Sequence, residues 1–313
     1  MHAVTIGQDG ALTVEEHPDP EPAGGEVLVR VRAAGLNGAD MLQRRGRYPA
    51  PVGWPQTIPG MELAGEVLQT GGPRSRFQPG DRVMAIVGGG AQAELALAEE
   101  RVLMPVPDGL DWAAAGGFPE VFTTAHDALF TQGRLQLGER VLIHGAAGGV
   151  GTAAVQLAAA AGARVTATVR DPDLRGPVRA LGAHVLAPDA FLDEGPFDLI
   201  LELVGAPNLE GNLHALATWG RIVVIGIGAG AKAELNLALL LGRRGRILAS
   251  TLRARTLEEK AQAARAVEHS VLPLLADGRI RVPVAETFAL AQAEAAYDRF
   301  AAGAKFGKIV LTA

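Results

Sequence analysis

The stretch Val141-Leu142-Ile143-His144-Gly145-Ala146-Ala147-Gly148-Gly149-Val150-Gly151 constrains the fold more than any other. Three apolar residues lead into a glycine cluster, and an alanine-rich run at 152–161 leads out. That order predicts strand, tight turn and helix. Glycine adopts turn angles closed to other residues and lets a ligand lie against the main chain. A helix N-terminus behind the turn presents unpaired N–H groups and a positive dipole end, which suit a pyrophosphate. Gly145, Gly148 and Gly151, with Gly149 and Val150 between them, are therefore read as a dinucleotide turn. Glycine clusters alone are common in plain loops. The position between a strand pattern and a helix pattern is what favours the nucleotide.

The surrounding chain supplies the matching rhythm. Strands are expected at 140–144, 164–169, 199–204, 221–225 and 246–251. Helices are expected at 149–161, 174–181, 208–216, 236–242 and 257–276. Such alternation predicts a parallel sheet wound with helices on both faces, an α/β doubly wound domain. Before it, residues 26–33 alternate apolar and charged side chains as a half-buried strand does. Short strands follow at 63–68 and 82–87, the latter after the turn Pro79-Gly80-Asp81. Many short strands with Gly/Pro turns predict a small barrel or sandwich. The irregular stretch 37–60, with a short helix at 38–45, is long enough to suggest a functional loop. Beyond 278 a strand, a helix and a final strand at 308–312 read as a return to the first domain. The expected division is 1–117, then 118–277 for the nucleotide domain, then 278–313.

Composition removes several classes of function. With no cysteine there is no disulfide, no thiol catalysis and no Cys-based zinc site. A net charge of −5 gives no electrostatic case for nucleic acid. No apolar run reaches the roughly 18 residues of a membrane span. Residues 1–8 lack a signal-peptide pattern. A soluble, cytoplasmic protein is expected.

The chain resembles the zinc-independent quinone oxidoreductases, the zeta-crystallin-like branch of the medium-chain dehydrogenase/reductase superfamily. The motifs that carry this are Gly35-Leu36-Asn37-Gly38-Ala39-Asp40, Arg45-Gly46-Arg47-Tyr48-Pro49, Ile58-Pro59-Gly60-Met61-Glu62 and Phe77-Gln78-Pro79-Gly80-Asp81-Arg82-Val83. The glycine turn, Arg179-Ala180-Leu181-Gly182-Ala183 and Phe306-Gly307-Lys308-Ile309-Val310-Leu311 complete the set. The resemblance implies a GroES-like β-barrel domain plus a Rossmann domain, with the active-site cleft between them. It also implies NADPH as hydride donor, quinones or activated alkenes as acceptors, and homodimers or homotetramers often paired through Rossmann edge strands. Where zinc alcohol dehydrogenases carry a zinc-binding Cys this chain has Asn37, and where they carry a His it has Met61. No metal is expected, and alcohol oxidation loses its usual charge stabiliser.

Asn37, Asp40 and Tyr48 are the catalytic candidates. Asn37 is expected to donate to an acceptor carbonyl, and Tyr48 to donate a bond or proton to the substrate oxygen. Asp40 is alternatively a helix-start residue that only holds the loop. Arg170, with Arg175 assisting, stands where an acid would select NAD; arginine's fork suits the 2′-phosphate of NADPH. Asp171 argues the other way. Thr124, Gly226, Ile227, Gly228, Leu252, Arg253 and Lys308 are expected to border the cofactor, although an exposed Lys or a helix-interior Thr is ordinarily inert. Glu62 is read as structural and His144 as a neutral, bonded neighbour of the turn. The alternatives are a reductase of α,β-unsaturated carbonyls or enoyl thioesters, and a nucleotide-binding redox sensor or structural protein with little turnover.

Overall fold

The computed structural model describes residues 1–72 and 75–313. The chain groups into two compact units: 1–123 with 252–303 and 308–313, and 124–251 with 304–307.

The second unit is built on a six-stranded, all-parallel sheet. Its strands, along the chain, are Arg140–Ile143, Arg164–Thr168, His184–Leu186, Phe197–Glu202, Leu216–Val224 and Arg246–Ala249. Their spatial order is 3-2-1-4-5-6, the doubly wound order of a Rossmann domain. The central strands are continuous apolar runs because helices cover both faces; Val141, Leu142, Ile143, Leu199, Ile200 and Leu201 are fully buried. The helix Gly149–Ala160 is buried from Gly151 to Ala158. Its alanines favour the helix and are small enough to bury all round. The outermost strand, Arg246–Ala249, and the helix Leu237–Arg243 that precedes it in the chain contain no buried residue. Leu237, Leu241, Trp219 and Ile247 are exposed there.

The first unit holds a seven-stranded sheet. Its order is Val284–Ala289, Lys308–Thr312, Glu26–Gly35, Glu62–Thr70, Arg82–Ile86 and Met104–Pro105, with Leu95–Glu99 also paired to Glu26–Gly35. Lys308–Thr312 runs antiparallel to Glu26–Gly35, with Val310 opposite Gly35. Barrel and Rossmann sheet together make the mixed α/β architecture expected. The stretch 257–276 is two helices, Leu257–Ser270 and Leu272–Ala276, because Pro273 has no N–H to continue the ladder. These residues group with the first unit, so the contact boundary lies at Thr251/Leu252. Arg265 donates to the carbonyl of Leu103, and Arg76 pairs with Glu268 at 2.5 Å. Among the described residues no helix is long and apolar enough to cross a membrane.

Candidate nucleotide and active site

In the second unit the strand Arg140–Ile143 ends at His144, and the chain turns through Gly145 at φ +66°. The helix begins after its N-cap, Gly148. Its first backbone bond runs from Thr152 N–H to Gly148 O at 2.9 Å. The N–H groups of Gly149, Val150 and Gly151 therefore have no i−4 acceptor inside the helix. A Cβ on Gly151 would sit 2.6 Å from Gly145 O and from Ala146 Cα, so the turn closes only over a bare α-carbon. Gly148 is otherwise open, with nothing but Gly145 O at 3.6 Å from a would-be Cβ. A concave main chain ending on free helix N–H groups fits a pyrophosphate. Gly307 reinforces the turn: its N–H donates to Ala147 O at 2.8 Å, and it bridges Gly148.

The other nucleotide candidates of this unit lie at strand ends. Arg170 is exposed just past Arg164–Thr168. Arg175 is turned back on the strand, donating to Val169 O at 3.1 Å and Arg170 O at 3.4 Å. It holds the strand tip that carries Arg170. Gly226, Ile227 and Gly228 follow Leu216–Val224. A Cβ on Gly226 would lie 2.1 Å from Leu203 O, so glycine is required there, whereas Ile227 is exposed. Thr124 is buried in the helix Pro119–His126.

The first unit gathers a different set. Glu62 and Lys308 are an ion pair at 2.7 Å, with side chains 0% and 3% exposed. The Lys308 ammonium also donates to Asn37 Oδ1 and Leu36 O, each at 2.7 Å. Its three hydrogens are thus matched by three acceptors, and none remains for a cofactor. Asn37 Nδ2 donates to Glu62 Oε1 at 2.9 Å and to Gly35 O at 3.3 Å. Both amide hydrogens point inward, which corrects the expectation that Asn37 donates to a substrate carbonyl. Gly35 is bare by necessity, since a Cβ there would lie 2.3 Å from Glu62 Oε1. Asp40 is fully buried; it accepts from Asn37 N–H at 2.8 Å and Gly60 N–H at 3.2 Å. It closes the capping box of the helix Gly38–Arg44, so the helix-start reading describes it. Burial pushes its carboxyl up to about 6.

Arg253 is also an internal cross-link. It donates to Gly88 O at 2.7 and 3.0 Å, Tyr48 O at 3.0 Å and Gln43 Oε1 at 2.6 Å. Its guanidinium lies 5.2 Å from the Tyr48 ring centroid. Arg253, expected to border the cofactor, spends these donors on tying the loop of Tyr48 to Gly88, and Leu252 beside it is buried. Tyr48 itself is half-buried. Sequence reasoning gave no role to Glu120, whose N–H donates to Glu62 Oε2 at 2.8 Å. Its carboxyl Oε2 is inaccessible and unpartnered. Burial, aided by the charge of Glu62, pushes Glu120 up to about 8. The only sign in the sequence was an acid directly after a proline, an ordinary first-turn pattern.

Two family models match the chain: the alcohol dehydrogenase GroES-like domain over residues 23–108, and zinc-binding dehydrogenase over 149–268. A quinone oxidoreductase of Pseudomonas aeruginosa is 33% identical, covering 97% of this chain and 96% of its own. This chain belongs to the medium-chain dehydrogenase/reductase superfamily. An acryloyl-coenzyme A reductase of Metallosphaera sedula is 30% identical over the whole of both chains. The crystal structure of the quinone oxidoreductase from Thermus thermophilus, also solved with NADPH, superposes with a TM-score of 0.85 at 34% identity over all of both chains. The protein is thus an NAD(P)-dependent oxidoreductase of this superfamily. The zinc in the second family's description does not fit this donor set. The chain has no Cys, Met61 stands beside Glu62, and the oxygens of Glu62 and Asn37 already hold an ammonium.

Proposed function

We propose that the protein reduces quinones with NADPH, without a metal. The observation that carries this is the glycine turn, open over free helix N–H groups, in a chain whose relatives include NADPH-bound and quinone-named enzymes. Gly145, Gly148, Gly149, Val150 and Gly151 would cradle the pyrophosphate. Arg170, on a strand tip braced by Arg175, would meet the 2′-phosphate. Gly226 and Gly228 would allow main chain to approach the nicotinamide. A reduced nicotinamide, when bound, supplies the hydride. The chain's own part is to orient, to exclude water and to polarise the acceptor. Tyr48 is the group proposed to donate to the acceptor oxygen, its position set by the bonds of Arg253 to its carbonyl and ring.

The test is a panel of quinones, enones and enoyl thioesters run with both nucleotides. Quinone turnover that prefers NADPH, with the preference lost in Arg170→Ala, supports the reading. Turnover confined to enoyl thioesters favours the second reading, to which the acryloyl-coenzyme A reductase relative lends support. Tight NADPH binding with no turnover favours a sensor or structural role.

A second copy of this chain is proposed to cover the apolar edge at Trp219, Leu237, Leu241 and Ile247, where the outermost parallel strand has a neighbour on one side only. A cytoplasmic location is proposed with it. A monomeric mass for the parent protein by light scattering would overturn the dimer.

A further inference from the structure

Beneath the nucleotide turn runs a buried chain of four polar side chains drawn from three strand ends and a helix. His144, 1% exposed, bonds Thr168 Oγ1 through Nδ1 at 2.9 Å and Asn212 Oδ1 through Nε2 at 2.8 Å. Asn212 Nδ2 donates to Glu202 Oε2 at 2.8 Å. Glu202 Oε1 accepts from Val204 N–H at 2.7 Å, Gly205 N–H at 2.8 Å and Asn208 Nδ2 at 3.3 Å. With four donors converging on it, Glu202 acts as the acceptor end. The amide of Asn212 must then present its NH2 to Glu202 and its oxygen to the imidazole. His144 therefore carries its proton on Nε2, and Nδ1 accepts from the Thr168 hydroxyl. Every member has one consistent role. Burial holds the imidazole below its usual pKa, in keeping with that neutral tautomer, and Phe191 meets the ring edge-on at 4.8 Å.

We propose that Thr168, His144, Asn212 and Glu202 are positioning residues that set the spacing of the nucleotide-binding loops. The inference rests on the nucleotide reading of the glycine turn and adds residues to it. Each end of the chain lies at a candidate contact. Thr168 is two residues before Arg170, and its carbonyl accepts from Ala146 N–H at 3.2 Å. His144 directly precedes Gly145. Glu202 fixes the Val204–Gly205 turn, whose neighbours exchange backbone bonds with Ala229 and Gly230 at 2.9 Å. The main-chain N–H of Gly226 returns to Glu202 O at 3.0 Å. One chain of hydrogen bonds thus links the pyrophosphate turn, the 2′-phosphate strand tip and the nicotinamide-side loop. A core histidine serving packing alone needs no such chain. Four polar groups buried together are tolerated only when all are satisfied, which makes their geometry exacting.

The test compares His144→Phe, Asn212→Leu and the double variant with the parent protein. His144→Phe keeps the ring against Phe191 and leaves Thr168 and Asn212 without their partner. Dissociation constants are read for NADPH, by nucleotide fluorescence, and for adenosine 2′,5′-bisphosphate, by calorimetry. The fragment spans fewer of the loops, so it separates spacing from general damage. The expected result is NADPH Kd about tenfold weaker in each single variant, the loss of one to two buried bonds, with the double variant no weaker than the worse single. Fragment Kd is expected to stay within about threefold in Asn212→Leu, which severs the chain on the nicotinamide side of His144, and kcat at saturating NADPH to change less than KM. If the large changes prevent folding, Thr168→Val removes one hydroxyl without changing shape, and its NADPH Kd is expected to rise about threefold or more. NADPH binding unchanged in folded variants, equal weakening of NADPH and fragment in Asn212→Leu, or a fully additive double variant would overturn the relay alone. A parent protein that binds neither NADPH nor NADH overturns the relay and the proposed function together.

Discussion

Replacing Lys308 with methionine removes a buried ammonium and keeps the length of the side chain. At 2.7 Å and an effective dielectric near 20, its attraction for Glu62 is on the order of 6 kcal/mol. Desolvating the two ions costs several kcal/mol each, so the intact pair contributes little net stability. The variant is another matter. Glu62 stays at 0% exposure, accepting only from Asn37 Nδ2 and Glu120 N–H. Stranding a buried carboxylate in this way is expected to cost about 3–5 kcal/mol. Lys308→Met with Glu62→Gln removes both charges and should recover most of that loss, to within about 1–2 kcal/mol of the parent. Urea unfolding of parent, both singles and the double at neutral pH measures all four corners. A double variant as unstable as the sum of the singles would refute the ion-pair account of this cluster.

Other outcomes follow from the same geometry. Glu120 is held at about 8 in the folded protein, above its unfolded value of 4.5, so its contribution is full at low pH and is lost as pH rises towards 8. Glu120→Gln should flatten that fall; moving from pH 5 to pH 9, the variant should gain about 2–4 kcal/mol on the parent in thermal or urea unfolding. Arg221 donates to both oxygens of Glu139 and to three backbone carbonyls, of Gly133, Arg134 and Asp198. Arg221→Leu should lower stability by about 2–4 kcal/mol with the nucleotide turn itself intact, read by calorimetry beside NADPH binding. Gly151→Ala should cost about 1–3 kcal/mol and weaken NADPH at least tenfold, because the added Cβ meets the backbone of Gly145 and Ala146. Unaltered binding in that variant would remove the glycine turn from the nucleotide site.

The fold class was legible because two periodicities are plainly written in the chain. Glu26–Gly35 alternates and is half-buried in a barrel, whereas Val141-Leu142-Ile143 is apolar throughout and lies in a sheet covered on both faces. The helix around Leu237 shows where patterning says less, since a leucine-rich segment reads as core although no residue of Leu237–Arg243 is buried in this chain. The glycine turn was equally legible, as local backbone chemistry requires neighbours in sequence and little else. By contrast, the roles of Asn37, Arg253 and Lys308 depended on partners far away in the chain. Arg253 meets Gly88, Tyr48 and Gln43, and Lys308 meets Leu36, Asn37 and Glu62. A side chain's type tells what it can donate, and only the fold tells who accepts.

From the sequence alone came the two-domain α/β plan, the glycine turn ahead of a helix, and an irregular loop at 37–60 with no cysteine to bind a metal. Tertiary structure decided which polar groups are spent on holding that loop and which remain to face a ligand. The reason is physical: local geometry follows from adjacent residues, whereas burial, pairing and shifted protonation arise only when distant segments exclude water from each other. That is why Lys308 and Asn37 turn inward and Glu120 keeps its proton, while Tyr48 and Arg170 stay the groups to test.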